Sequence, residues 1–272
     1  DSYFNITENY YGGKATNMDF KEDSEGSRMI INGWVEAQTN DRIKDLIPPG
    51  VIDSMTRLVL TNAVYFKGDW ILKFDESRTR EADFRVTKEK TVKAQMMSLT
   101  GEKAIFNYAE TEDIRILELP YKGSELSMLI LLPKEDDLGA LEHLLNTESL
   151  NRWKSMLREK KIDVYMPRFK FETKYFMAED LKDMGMPSAF SSAADFSAMT
   201  GKRDLYISQV IHQAFVEVNE EGTEAAAATA VVMKVKAVMS DIFRADHPFI
   251  FIIQEKDTGN ILFLGRVADP AE

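Results

Sequence analysis

Three histidines, His143, His212 and His247, are the side chains best suited to metal binding or proton transfer, and their spacing supports neither. Two imidazoles share a metal from one helix when they are a turn apart, as in H-x-x-x-H or H-E-x-x-H, and these three are scattered. His143 is expected on a helix surface, and His212 inside a buried strand as a satisfied core imidazole. With no cysteine in the chain, disulfides, thiolate metal sites and a cysteine nucleophile are excluded. Gly12-Gly13-Lys14 lacks the spacing of a phosphate loop, and neither G-x-G-x-x-G nor G-x-S-x-G occurs. The acidic pairs Asp136-Asp137 and Glu220-Glu221 read as solvated loop charge. Phe, Tyr and Trp fall in strand patterns and read as core, not as a platform for stacking bases. The expectation is a protein that is not an enzyme, with no metal and no cofactor.

One stretch is unusual for a different reason. EVNEEGTEAAAATAVV, Glu217 to Val232, has scarcely a side chain larger than a methyl after its acidic pair and glycine. Alanine favours helix, but this run continues the strand-like QVIHQAFVEV and ends in β-favouring Val231-Val232. As an extended ribbon, it places Thr223, Ala225, Ala227 and Thr229 on one face and Glu224, Ala226, Ala228 and Ala230 on the other. Small residues on both faces suit a segment that must slide into space already packed, where surplus methylenes are costly. Gly222 supplies backbone freedom for a fold-back.

The surrounding elements read as strands more often than helices. The chain has 272 residues, 44% hydrophobic, enough for one large domain or two small ones, and no linker-like boundary or repeat divides it. A net charge of −11 with no basic stripe argues against nucleic acid. No apolar run is long enough to cross a bilayer, so no membrane partner is expected. The first residues lack the layout of a secretory signal, and Asn5-Ile6-Thr7 matches a glycosylation sequon. Glu25–Ile47 reads as a helix with an apolar stripe of Met29, Ile30, Trp34 and Val35 and later Ile43, Leu46 and Ile47, stopped at Pro48-Pro49-Gly50. Thr56–Trp70 reads as a strand buried on both faces. Further strands are expected at 104–108, 114–119, 126–132, 162–166, 169–172 and 205–218. A final hairpin joins 249–254 to 261–267. Helices are expected over 138–161, in two pieces, and over 175–184. Irregular alternation favours an α+β fold with mainly antiparallel sheets.

EEGTEAAAATA resembles the reactive-loop hinge of an inhibitory serpin. NAVYFKGDW, LELPYKGSELSMLILLP, VYMPRFKFE, DLKDMGMPSAFSSAADFSAM and HPFIFIIQEKDTGNILFLGRVADP fall in the family's order over nearly the whole chain. The resemblance implies a serpin fold: one domain over residues 1–272, with a large, mainly antiparallel central sheet, further β-sheets and surface helices. The family's N-terminal helices precede DSYFNITENYY, so an N-terminally truncated chain is expected. It also implies a suicide inhibitor of serine proteases, a monomer with a separate N-terminal fragment as a further partner. A reactive loop would span 220–247. The hinge would be Glu220, Glu221, Gly222, Thr223, Glu224, Ala225, Ala226, Ala227 and Ala228. The cleaved bond would be Lys236–Ala237, with Ala237–Val238 and Met239–Ser240 as alternatives. Lysine there implies trypsin-like targets, with elastase- and chymotrypsin-like proteases next. Asn62, Trp70 and His212 resemble polar and aromatic residues at the point where the main sheet opens, and the helix over 25–47 resembles the one lying across that sheet. A non-inhibitory carrier, storage protein or chaperone is the alternative, as is an inactive truncated or cleaved fragment.

Overall fold

A computed structural model describes residues 2–13, 15–223 and 241–271. In chain order the elements are α1 (Ser2–Tyr11), α2 (Ser24–Gln38), β1 (Val59–Tyr65), β2 (Gly68–Asp69), β3 (Arg80–Arg85), β4 (Thr91–Leu99), β5 (Ile105–Glu110), β6 (Ile114–Pro120) and β7 (Leu126–Pro133). Then come α3 (Leu138–Leu144), α4 (Thr147–Met156), β8 (Arg158–Pro167), β9 (Phe169–Phe176), α5 (Ala178–Asp183), α6 (Ser197–Thr200), β10 (Gln209–Val218), β11 (Gly222–Thr223), β12 (Asp241–Arg244), β13 (Phe249–Glu255) and β14 (Ile261–Val267). They group into two compact units: Asp1–Tyr65 with Phe171–Phe215, and Phe66–Lys170 with Val216–Glu272.

In the first unit β1 and β10 run parallel, paired residue for residue from Val59↔Gln209 to Tyr65↔Phe215. On its other side β10 pairs with β9. One face of the β1–β10 pair is covered by Val35 of α2 and by Ile43, Leu46, Ile47 and Ile52, which cluster with Ile211 and Phe215 and with the partly buried Val59, Ala63 and Tyr65. The helix therefore lies across that face, as the resemblance implied; Val35 of the expected stripe and Ile43, Leu46 and Ile47 beyond the helix are buried, but the start of the stripe turns outward. Met29 and Ile30 are 61% and 59% exposed, whereas Arg28 and Asn32 are buried. These two polar side chains hold the chain that follows. Arg28 Nη1 and Asn32 Nδ2 both donate to the Ile47 carbonyl at 2.9 Å, and Ile47 N–H donates back to Asn32. The helix also stops nine residues early, at Gln38. Thr39 Oγ1 donates to the Val35 carbonyl and accepts from Ile43 N–H, and Asn40 and Asp41 turn left-handed. β1 itself is shorter and more exposed than expected, with Leu60 and Asn62 facing outward.

The second unit carries a nine-stranded sheet in the order β14-β13-β7-β6-β5-β8-β4-β3, with β12 pairing parallel to β8 and the other pairings antiparallel. The expected hairpins β6–β7 and β13–β14 are present. Residues 158–161, read as helix, open β8 instead, since α4 is closed at Leu157 and the chain turns extended. Tyr175 and Phe176, also read as helix, end β9. Strands β3 and β4 lay unrecognised in the polar run between Arg80 and Leu99, where charged residues alternate with Phe84 and Ala94.

Candidate functional site

The acidic pair Glu220-Glu221 is not solvated loop charge. Glu220 is only 4% exposed. Arg168, at the β8–β9 junction, donates from Nε to both its carboxylate oxygens at 2.8 and 2.7 Å, and Thr79 Oγ1 donates as well. Arg168 also reaches Glu76 at 3.2 Å. The Glu220 hydrogen bond is the main reason the guanidinium's pKa is raised. Glu221 accepts from Lys73 Nζ at 2.7 Å, and that bond raises the lysine's pKa. The backbone is held too: Trp70 N–H donates to the Glu221 carbonyl and Phe74 N–H to that of Glu220, both at 2.8 Å. Asp136-Asp137 likewise has structural partners. Asp136 accepts from Arg85, and Asp137 caps α3 by accepting from Ala140 N–H.

Beyond the pair the chain enters β11. Thr223 pairs antiparallel with Val218 at the end of β10 and with Gly68 of β2 on its other side. Gly222 sits there at φ 151°, a conformation L side chains avoid, and an added Cβ would lie 2.0 Å from the Gly68 carbonyl oxygen. Only glycine fits. Thr223 is fully buried, and its Oγ1 lies 2.9 Å from the Tyr121 hydroxyl. Trp70 stacks on Tyr121 with centroids 4.5 Å apart and donates its indole N–H to the Asn219 carbonyl at 3.0 Å. Burial pushes the Tyr121 phenol pKa up, so it is a neutral hydroxyl against Thr223. Of the expected site residues, Trp70, Glu220, Glu221, Gly222 and Thr223 thus form one cluster. Sequence reasoning missed Tyr121, Arg168, Thr79 and Lys73; Tyr121 and Arg168 lie within the segments LELPYKGSELSMLILLP and VYMPRFKFE that carried the resemblance, but nothing in the sequence placed them beside residues 220–223.

Asn62 and His212 meet in the first unit. They face each other across the β1–β10 pair, with Asn62 Oδ1 2.8 Å from His212 Nδ1. His212 is half-buried, not a core residue, because it lies on the face of β10 opposite Ile211, where it stacks on Tyr175. His143 is exposed on α3. Glu224, Ala225, Ala226, Ala227, Ala228, Lys236, Ala237, Val238, Met239 and Ser240 lie outside the described residues. Among the described residues no cluster of three or more His, Asp or Glu is placed to hold a metal, and no helix is long and apolar enough to cross a membrane.

The family profile Serpin (serine protease inhibitor) matches residues 1–270, and the chain belongs to the serpin family, whose members inhibit proteases and are not themselves enzymes. Among relatives, Serpin B3 of Homo sapiens is 46% identical over 275 residues, covering 98% of this chain and 70% of its own. Leukocyte elastase inhibitor A of Rattus norvegicus is 45% identical over 98% of this chain and 73% of its own. Among solved structures, uncleaved ovalbumin superposes with a TM-score of 0.89 at 38% identity, covering 99% of this chain and 69% of its own. Human thyroxine-binding globulin superposes with a TM-score of 0.90 at 30% identity, covering 100% and 71%.

Proposed function

We propose that this chain acts as an inhibitory serpin, carrying both the bait loop and the strands that receive it. A target protease attacks the carbonyl of Lys236 with its serine oxygen. The peptide nitrogen of Ala237 leaves with a proton, and an ester joins protease to loop. Before water resolves that ester, the freed arm from Thr223 onward inserts between β1 and β10 and carries the protease away.

The observation that best supports this reading is a shared register. Every pair in the β1–β10 ladder joins residues 150 apart, from Val59↔Gln209 to Tyr65↔Phe215. The two partners of Thr223, Gly68 and Val218, are also 150 apart. An arm zipping onward from Thr223 meets successive matched pairs without a bulge or slip. It runs antiparallel to both neighbours, which is possible only because they are parallel to each other. In that register Thr229 arrives level with Asn62 and His212, and Val232 level with Val59 and Gln209. Insertion must part the Asn62–His212 hydrogen bond, so the two act as a gate. The ten residues of strand from Thr223 to Val232 span roughly 33 Å at about 3.3 Å each, enough to move a protease across a domain.

Lys236 assigns the target to trypsin-like proteases, whose pocket carboxylate pairs with an ammonium. The relatives named for leukocyte elastase make elastase-like proteases the comparison arm. The test incubates the complete chain with both classes. An SDS-resistant adduct with a trypsin-like protease, and a released fragment beginning at Ala237, are expected. Clean turnover without an adduct sinks the proposal. Thr223→Arg must block insertion, because Thr223 is wholly buried; it should turn the inhibitor into a substrate, and an unchanged stoichiometry would contradict the mechanism.

A further inference from the structure

Gln213 carries a defect of the closed β1–β10 pair. It lies on β10 between Ile211 and Phe215, opposite Ala63 of β1, and is 1% exposed. Its Nε2 donates to Oε1 of Glu172 on β9. That bond fixes the amide's orientation, since the reversed amide would turn its oxygen on the carboxylate. The other end, Oε1, is buried with no hydrogen-bond partner; among the described residues it is the one such side-chain atom. Its neighbours on that face of β10, Ile211 and Phe215, belong to an apolar cluster with Val35 and Ala63. An acceptor stripped of water and left unpaired costs free energy that an apolar group of the same shape would not.

We propose that Gln213 is a positioning residue for loop insertion: its orphaned oxygen raises the free energy of the closed pair relative to the inserted form and so speeds the arm into the sheet. The inference rests on the insertion reading above. A strand added between β1 and β10 moves Ala63 away from Gln213 by one further ladder spacing, about 4.8 Å. In the shared register it brings Ala228 alongside, with Ala226 and Ala230 on the same face. Methyl-sized neighbours leave the amide room to turn or to admit a water, which suffices to pair the oxygen. The defect is thus present in the form that must react and relieved in the form that results. Glu172 is exposed, so removing its amide partner leaves no new buried charge.

Gln213→Leu and Gln213→Met, made separately in the complete chain, remove the oxygen at near-constant volume, and either variant carries the test if the other fails to fold. Thermal midpoints are read before and after a single cut in the arm, together with the rate of adduct formation and the number of inhibitor molecules consumed per protease. The uncleaved midpoint should rise by about 2–6 °C, and the cleaved one by less than half as much. Adduct formation should slow by about two- to tenfold, with more inhibitor lost to turnover. Equal shifts in both forms, an unchanged or lower uncleaved midpoint, or unaltered partitioning overturns the assignment. The wild-type chain separates the two ideas: if it gains no stability on cleavage, the insertion reading has failed, whereas a gain in wild type with equal shifts in the variants condemns Gln213 alone.

Discussion

At the scale of single residues, the entry to β11 depends on one position that admits no side chain, Gly222, and on one buried charge, Glu220. Gly222 has both a glycine-only φ and a backbone oxygen where Cβ would go. Gly222→Ala should therefore unseat β11 from β2, lowering the uncleaved midpoint and exposing the hinge to proteases that do not cut the wild type. Glu220 is the other case. Removing one partner of a buried pair leaves the second uncompensated, at a cost of about 3–5 kcal/mol when both are fully buried. Arg168 is 37% exposed, and solvent can rescue it, so Glu220→Ala should cost nearer 1–3 kcal/mol. A double-mutant cycle with Arg168→Ala, read by urea unfolding, measures the coupling. Coupling near zero would mean the bidentate contact is incidental. The sequence announced the glycine but not the glutamate: an acidic pair in an acidic chain looks solvated until a distant arginine is found beside it.

At the scale of elements, periodicity located strands well and orientation poorly. The apolar hairpins β6–β7 and β13–β14 were legible because each strand is bounded by turn residues and packs against its sequence neighbour. Strands β3 and β4 were not, since their outward charges mask a one-sided apolar pattern. Helix α2 misled for the opposite reason. Its buried residues include Val35 but also the polar Arg28 and Asn32, which bind the Ile47 backbone, leaving Met29 and Ile30 outside. The junction of β12 and β13 carries an electrostatic consequence. Buried His247 places Nε2 2.7 Å from the Pro133 carbonyl and Nδ1 2.9 Å from Asp246, with Asp136 at 3.8 Å. Burial opposes its charge, but the bonds to Asp246 and Pro133 and the nearby Asp136 prevail, so its pKa is raised from 6.5 despite Arg85 and Arg244 nearby. A raised folded pKa stabilises fully below about pH 6.5, and the contribution is lost as pH rises through the folded value. Urea midpoints should fall across that window, and His247→Gln should flatten the dependence. An identical slope in the variant would assign it elsewhere.

At the scale of the whole molecule, the family was legible in the sequence because its motifs are spread over nearly the whole chain. The sequence could not carry the register. That the β1–β10 ladder and the β2–β11–β10 pairing share one offset is a property of four strands together. The offset makes a quantitative demand on cleavage. Nine further residues, 224 to 232, can each find two ladder partners, while the seven β1–β10 pairs and the Asn62–His212 bond are given up. Backbone ordering offsets most of the new hydrogen bonding, at about 1–2 kcal/mol per residue, so the net gain must come from the completed sheet and from relief of strain in the closed form. If that net gain is about 5 kcal/mol, a single cut after Lys236 raises the thermal midpoint by roughly 10–20 °C. A cut at the other end of the arm, just after Thr223, detaches it from β11 and should give no such rise. Calorimetry on the two singly cut forms distinguishes insertion from a general effect of nicking. Equal midpoints would mean that the shared register is never used.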